Sequence, residues 1–207
     1  MGRVNTASKQ ELSVIQQEVL IGTLLGDGRL ESRSKRGSAR LRIHHGDAQR
    51  GFLFWKYDIF ENVVTKKPWR VAWHEPRTGS HSAAWFFHTK TLTRLRPFHQ
   101  LFYSTGKKIV PPTIGRFLTP RALATWFMDD GCMTSTSAII NTQGFSVPQQ
   151  AILQRWFREE LGLETRLQKD RLTYRLWMNR ANAEQLKDII RPYVPHCMQY
   201  KITPRND

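Results

Sequence analysis

Apolar positions near the start of the chain recur at helical spacing: Leu12, Ile15, Val19 and Leu20 follow a Ser8-Lys9-Gln10-Glu11 capping-box signature. The pattern predicts a helix from about residue 9 to Gly26, with Gly28 as a left-handed stop. Arg29 to Arg40, dense in Arg, Lys, Ser and Gly, reads as a loop. Arg40-Leu41-Arg42-Ile43-His44 alternates polar and apolar, the mark of a half-buried strand. Asp47 then reads as the cap of a helix carrying Phe52, Phe54, Trp55, Ile59 and Phe60. Strands are predicted at Trp69–His74 and Ala83–Thr89, with Trp69, Val71 and Trp73 on one face and Arg70 and His74 on the other. A short helix around Thr93–Phe102 leads to the proline-rich link Lys107-Lys108-Ile109-Val110-Pro111-Pro112.

The same order then returns. Thr119 caps a helix whose first position is Pro120 and which ends at Asp130-Gly131. A strand at Ala138–Thr142, a helix at about Pro148–Leu161, a hairpin of Thr165–Lys169 and Leu172–Met178, and a helix at about Ala181–Ile190 complete it. Each half reads helix, strand, helix, two strands, helix. The fold class is α+β, as two pseudo-symmetric αββαββα-like halves: residues 1–106, a link at 107–118, and residues 119–207.

Charge narrows the partner. The 207 residues carry 32 Lys and Arg against 17 acids, a net +15. A field of that size favours polyanions and opposes self-association. No run approaches the length of a membrane span, and the basic residues are interleaved with Trp, Phe and Tyr, which favours nucleic acid over a membrane surface. Cys132 and Cys197 make neither a disulfide framework nor a zinc site, and Met1 to Ser8 lacks an apolar signal core. The chain therefore reads as intracellular, with organelle (mitochondrion or chloroplast) and prokaryotic cytoplasm both open.

Chemistry enters through a repeat. Leu20-Ile21-Gly22-Thr23-Leu24-Leu25-Gly26-Asp27-Gly28 and Leu123-Ala124-Thr125-Trp126-Phe127-Met128-Asp129-Asp130-Gly131 both end in Asp-Gly, 103 positions apart (27 to 130). A carboxylate at a helix C-terminus faces the negative end of the dipole and costs roughly 0.3–1 kcal/mol. Two in matching positions imply something positive between them. In so basic a chain, that is divalent metal held against a nucleic-acid phosphate. Asp129 projects about 100° from Asp130 on a helix and reads as packing or support.

These residues resemble the LAGLIDADG homing endonucleases, specifically the monomeric two-motif, omega-intron type. Thr119-Pro120, the second motif, Asn141-Thr142-Gln143, Lys107-Lys108 and Tyr200-Lys201 carry the likeness, which runs from about residue 19 to 202. The resemblance implies that the motif helices pack at a central pseudo-two-fold axis. Gly22 and Gly26 would permit close approach there, although Thr125 and Asp129 replace glycine in the second helix. It further implies a monomer whose antiparallel sheets grip double-stranded DNA, with Asp27 and Asp130 as metal ligands. Oxygen-only ligands suit Mg²⁺, with Mn²⁺ able to substitute. Lys108 and Lys201 would lie near the scissile phosphates. Gln143 would position water, with His45, or alternatively His44, as its first-half counterpart. The implied activity is site-specific cleavage of both DNA strands to leave 3′ overhangs, in an intron-encoded or free-standing enzyme. The alternative is an intron RNA maturase, with its own intron RNA as partner, or a non-cleaving binding protein of the same fold.

For base readout the outward strand faces supply Arg40, Arg42 and His44; Arg70 and His74; and Arg166, Gln168, Thr173, Arg175 and Trp177. Arg29, Arg33, Lys35 and Arg36 suit phosphates. The aromatic pairs Trp85-Phe86 and Trp156-Phe157 read as core.

Overall fold

A computed structural model describes residues 11–32, 37–77 and 79–204. The motif helices α1 (Val14–Leu25) and α4 (Pro120–Asp130) pack against each other at the centre. Their C-terminal turns are enclosed by protein: Val19 to Leu25 and Ala122 to Asp129 are buried without interruption. Their contact is close because glycine lines it. A Cβ at Gly22 would lie 2.2 Å from the Ala122 carbonyl oxygen, and one at Gly26 would lie 2.5 Å from Asp129 Cβ.

Local sequence explains the helix ends. Thr119 Oγ1 accepts the Ala122 amide at 3.3 Å, and Pro120 opens α4 as expected. The start of α1 differs from expectation. Ser13 and Gln16 form the capping box and residues 11–13 precede the helix, while Ser8-Lys9-Gln10 lies outside the described residues. Gly28 is not left-handed. Its need for glycine is spatial, since a Cβ there would come within 2.2 Å of Thr23 Cγ2.

Each motif helix runs directly into an antiparallel four-stranded sheet. Strands β1 (Arg29–Ser32), β2 (Ala39–Gly46), β3 (Trp69–Glu75) and β4 (Ser80–His88) are ordered β1-β2-β4-β3. The hairpin β5 (Tyr103–Ser104) and β6 (Lys107–Lys108) separates this sheet from the second. Strands β7 (Gly131–Met133), β8 (Ser137–Ile140), β9 (Arg166–Asp170) and β10 (Thr173–Asn179) are ordered β7-β8-β10-β9. The identical order is the two-fold relation written in topology. Expectation missed β1 and β7. Each is short, and β1 has one inward apolar residue, Leu30, among polar neighbours.

Helices cover one face of each sheet. α2 (Arg50–Phe60) and α3 (Arg96–Phe102) belong to the first half, α5 (Val147–Leu161) and α6 (Arg180–Ile190) to the second. In β2 the alternation is complete: Ala39, Leu41, Ile43 and His45 are buried, while Arg40, Arg42 and His44 face out. Burying each large side chain such as Leu41, Ile43, Phe52 or Phe87 stabilises the half by about 1.5–3 kcal/mol. Asp47 does not cap α2; it sits in a single 3-10 turn and its carboxylate pairs with Arg70. Among the described residues, no helix packs on the other face of either sheet, and none is long and apolar enough to cross a membrane.

Candidate active site

The packed helices α1 and α4 bring Asp27 and Asp130, at their C-terminal ends, into one neighbourhood. The carboxyl of Asp130 responds to the charges of Asp129 and Asp27, so the acids share an electrostatic neighbourhood. Burial, reinforced by those two carboxylates, pushes Asp130 up to about 7, against the pull of Lys108 and the indole of Trp126. That indole donates to Asp130 Oδ2 at 3.2 Å. Asp27 is the more open of the pair, its side chain 47% exposed.

Each motif end is held by a lysine, and the two arrangements match. Lys108 Nζ donates to the carbonyls of Gly26 (2.5 Å) and Gly28 (3.0 Å), which flank Asp27. Lys201 Nζ donates to the carbonyls of Asp129 (3.3 Å) and Gly131 (2.9 Å), which flank Asp130. A cation at a helix C-terminus satisfies orphan carbonyls and offsets the dipole. An ammonium has three N–H donors, so each lysine retains one for a phosphate oxygen or a water. Burial lowers both lysines from their ordinary range, while the aspartates oppose the shift. Lys108 is placed by the β5–β6 hairpin, whose turn residues Thr105 and Gly106 have φ of 50° and 79°, the paired positive values of a two-residue type I′ loop. Tyr103 anchors it, its hydroxyl accepting the Leu30 amide at 2.9 Å.

Beside Asp130 lies a cavity of about 250 Å³ lined by Gly26, Lys108, Asn141, Gln143 and Phe145. Gln143 Nε2 donates to Asp170 Oδ2 at 2.7 Å, which leaves its carbonyl free for a water. The Asp27 side is built differently. His45 is buried, with Nδ1 3.9 Å from Asp27 Oδ2 and Nε2 3.6 Å from Asp129 Oδ1. Burial, then Lys56, depresses its pKa to about 2, so the ring is neutral. His44 faces away and stacks on Phe86, so His45 is the histidine that lies beside the motif acids. His45 is not the counterpart of Gln143, however. Arg29 pairs Arg42 two residues after Asp27, and Cys132 pairs Ile139 two residues after Asp130, so His45 corresponds to Thr142 and Gln143 to Gly46.

Sequence reading missed Lys56. It is fully buried and donates to both Asp129 oxygens, at 2.8 and 2.9 Å, joining the first half to the second motif helix. Phe52, Lys56 and Phe60 share one helical stripe, so a lysine on an apolar face was the available signal. Burial raises Asp129 to about 6 despite that lysine. Asp27, His45 and Asp129 also offer ligand atoms within 4.8 Å of one another. Both Asp129 oxygens, however, are met by the Lys56 ammonium. The donor set suits a hard cation: carboxylate oxygens, with Asp130 crowded enough by burial and its two acidic neighbours to resist ionisation.

The open sheet faces carry the remaining candidates. Arg29, Arg40 and Arg42 converge on Glu31, whose carboxyl is held at about 2: burial opposes the shift, and hydrogen bonds from the three arginines overcome it. On the second sheet Arg166, Gln168, Thr173, Arg175 and Trp177 share one face, with Arg175 Nε donating to Gln168 at 2.9 Å. Arg33, Lys35 and Arg36 lie outside the described residues. The expectation for Arg70 and His74 is corrected. Trp69 pairs Phe86, which pairs His44, so Trp69, Val71 and Trp73 share the face of Arg42 and His44. Arg70 and His74 point the other way, Arg70 into Asp47 and His74 onto His81 at 4.4 Å. For the same reason Phe86 is on the open face and is not core, whereas Trp156 and Phe157 are buried.

The chain matches the model of the LAGLIDADG DNA endonuclease family over residues 17–186. It is 30% identical to the DNA endonuclease I-ChuI of Chlamydomonas applanata, covering 92% of this chain and 95% of that protein. At 31% identity it also aligns through 98% of its length with a RecA protein of Mycobacterium gastri, of which it spans 50%. It is 25% identical to the cytochrome b mRNA maturase bI2 of Debaryomyces hansenii, over 89% of this chain and 72% of that one. The solved homing endonuclease I-WcaI, bound to its DNA recognition sequence, superposes with a TM-score of 0.88 at 24% identity, covering 94% of this chain and 88% of that one. That likeness establishes the fold.

Proposed function

This chain belongs to the LAGLIDADG DNA endonuclease family, and from that premise we propose that it is a monomeric, Mg²⁺-dependent homing endonuclease that hydrolyses both strands of a specific site and leaves 3′ overhangs. One observation carries the assignment of the site: two motif-end aspartates, each flanked by carbonyls gripped by a half-buried lysine with a donor to spare. Asp27 and Asp130 hold the cation, which when bound polarises the scissile phosphate and eases deprotonation of water. Lys108 and Lys201 place positive charge where the pentavalent phosphate accumulates negative charge. Gln143 orients water on the Asp130 side, and the neutral His45, held by Lys56 at 3.3 Å, lies beside Asp27. Two such places, one per strand, account for a double-strand break by one chain.

Selection of a cleaved duplex from a randomised library in Mg²⁺ tests this reading. Cleavage should vanish in excess chelator and in Asp27→Asn or Asp130→Asn; retention in either variant overturns the ligand assignment. The second reading, an intron RNA maturase, draws on the 25% identity to the maturase bI2. Tight binding to a cognate intron RNA without DNA cleavage in Mg²⁺ or Mn²⁺ would favour it.

A further inference from the structure

The open face of the first sheet changes character along its length. Near β1 and β2 it is arginine: Arg29, Arg40 and Arg42, pinned by Glu31. Toward the edge strand β3 it becomes an aromatic and aliphatic strip. Trp69, Val71 and Trp73 are 38%, 41% and 48% exposed and stand in line on that strand. Phe86 and His44 continue the strip across the sheet: His44 stacks on Phe86 at 5.4 Å and Trp69 on Phe86 at 6.1 Å. An exposed apolar strip of this kind marks an interaction surface, and its continuity with the arginines identifies a polyanion as what covers it. The edge strand of the second sheet, β9, presents Arg166 and Gln168 at its outward positions instead, with Trp177 and Ile139 half-buried on the inner strands of that face.

From this asymmetry we infer that the first sheet reads its half of the DNA site through the C5-methyl groups of thymines, by contact with Trp69, Val71 and Trp73. The inference rests on the endonuclease reading above and specifies the substrate of that site. In the major groove the thymine methyl is the apolar group on the base edges, whereas guanine offers only acceptors there. A valine and two indole faces present no donor pair to guanine O6 and N7. Guanine or cytosine beneath them would lose water without a replacement hydrogen bond. Spacing adds detail. Outward residues on a strand recur about every 6.8 Å and stacked base pairs about every 3.4 Å, so successive contacts fall about two base pairs apart.

The test uses the full chain and the duplex selected by its own cleavage. Each thymine is replaced singly by deoxyuridine, which deletes only the methyl, and binding is measured in Ca²⁺. Up to three thymines about two base pairs apart, all within one half-site, should each weaken binding about fourfold, the value of one buried methylene. In a Trp69→Ser/Val71→Ser/Trp73→Ser variant the same replacements should have no effect, while guanine contacts in the other half-site persist. Uniform indifference to deoxyuridine in the parent protein overturns the inference and leaves the endonuclease reading intact. So does an undiminished deoxyuridine effect in the triple variant, or self-association of the parent that the triple variant abolishes. Failure to select any cleaved duplex overturns the endonuclease reading, and this inference with it.

Discussion

Lys56 and Asp129 form a buried ion pair across the two halves, and its removal one partner at a time gives the sharpest prediction. Nζ meets the two carboxylate oxygens at 2.8 and 2.9 Å, with neither side chain exposed. At an effective dielectric near 20, unit charges about 3 Å apart attract by about 5 kcal/mol, and desolvation of both groups consumes much of that. Breaking the pair is worse than lacking it. Lys56→Met leaves a buried carboxylate and should cost about 3–5 kcal/mol, as should Asp129→Ala, which leaves a buried ammonium. The double variant strands no charge and should cost about 1–2 kcal/mol, mostly through the small void left by the carboxylate. Urea unfolding of the four proteins at pH 7.5 in chelator measures each value. Coupling of at least about 2 kcal/mol is required. Single variants costing under about 1 kcal/mol, or a double variant equal to the sum of the singles, would refute the reasoning.

Asp130→Asn should abolish cleavage yet stabilise the metal-free protein above neutrality. The folded-state pKa of about 7 lies above the unfolded value, so the penalty of Asp130 is absent below about pH 4, grows as pH rises to about 7, and is constant beyond. The melting temperature of the variant should exceed that of the parent at pH 8 and converge on it near pH 4; a constant difference contradicts the shift. Lys108→Met and Lys201→Met should each slow cleavage about 10²–10³-fold, with target binding in Ca²⁺ changed far less. Equal losses in binding and cleavage would make the lysines simple DNA contacts. Gly26→Ala places a Cβ 2.5 Å from that of Asp129, and overpacking of this kind costs about 1–3 kcal/mol, read by urea unfolding. A neutral result would show that the helices can separate.

Element identity was legible where pattern was dense. Thr119-Pro120 announces α4, the alternation of β2 announces its buried face, and the repeated Asp-Gly announces the paired helix ends. β1 and β7 escaped because four or three residues with one or two apolar side chains carry too little alternation to register. The facing of β3 was misjudged for a physical reason. Trp69, Val71 and Trp73 satisfy the pattern of a strand with an apolar inner face, but on an edge strand the covered side and the apolar side need not coincide. Lys108 and Lys201 could be named from the resemblance. Their hold on the motif carbonyls could not, because contacts between residues about 70 to 80 positions apart depend on how the halves close. Lys56 was discoverable in principle from its place on the stripe of Phe52 and Phe60.

Gly26 and Asp129 occupy the same place in the two motifs, and this single inequality commits the halves to each other. Two copies of the first half, brought together as a homodimer, would each thrust Lys56 toward a glycine and trap two uncompensated cations at the seam. Two copies of the second would oppose Asp129 to its own image. Neither duplication reconstitutes the seam, so a chimaera joining half of this chain to half of a relative must transplant the lysine together with its distant acid.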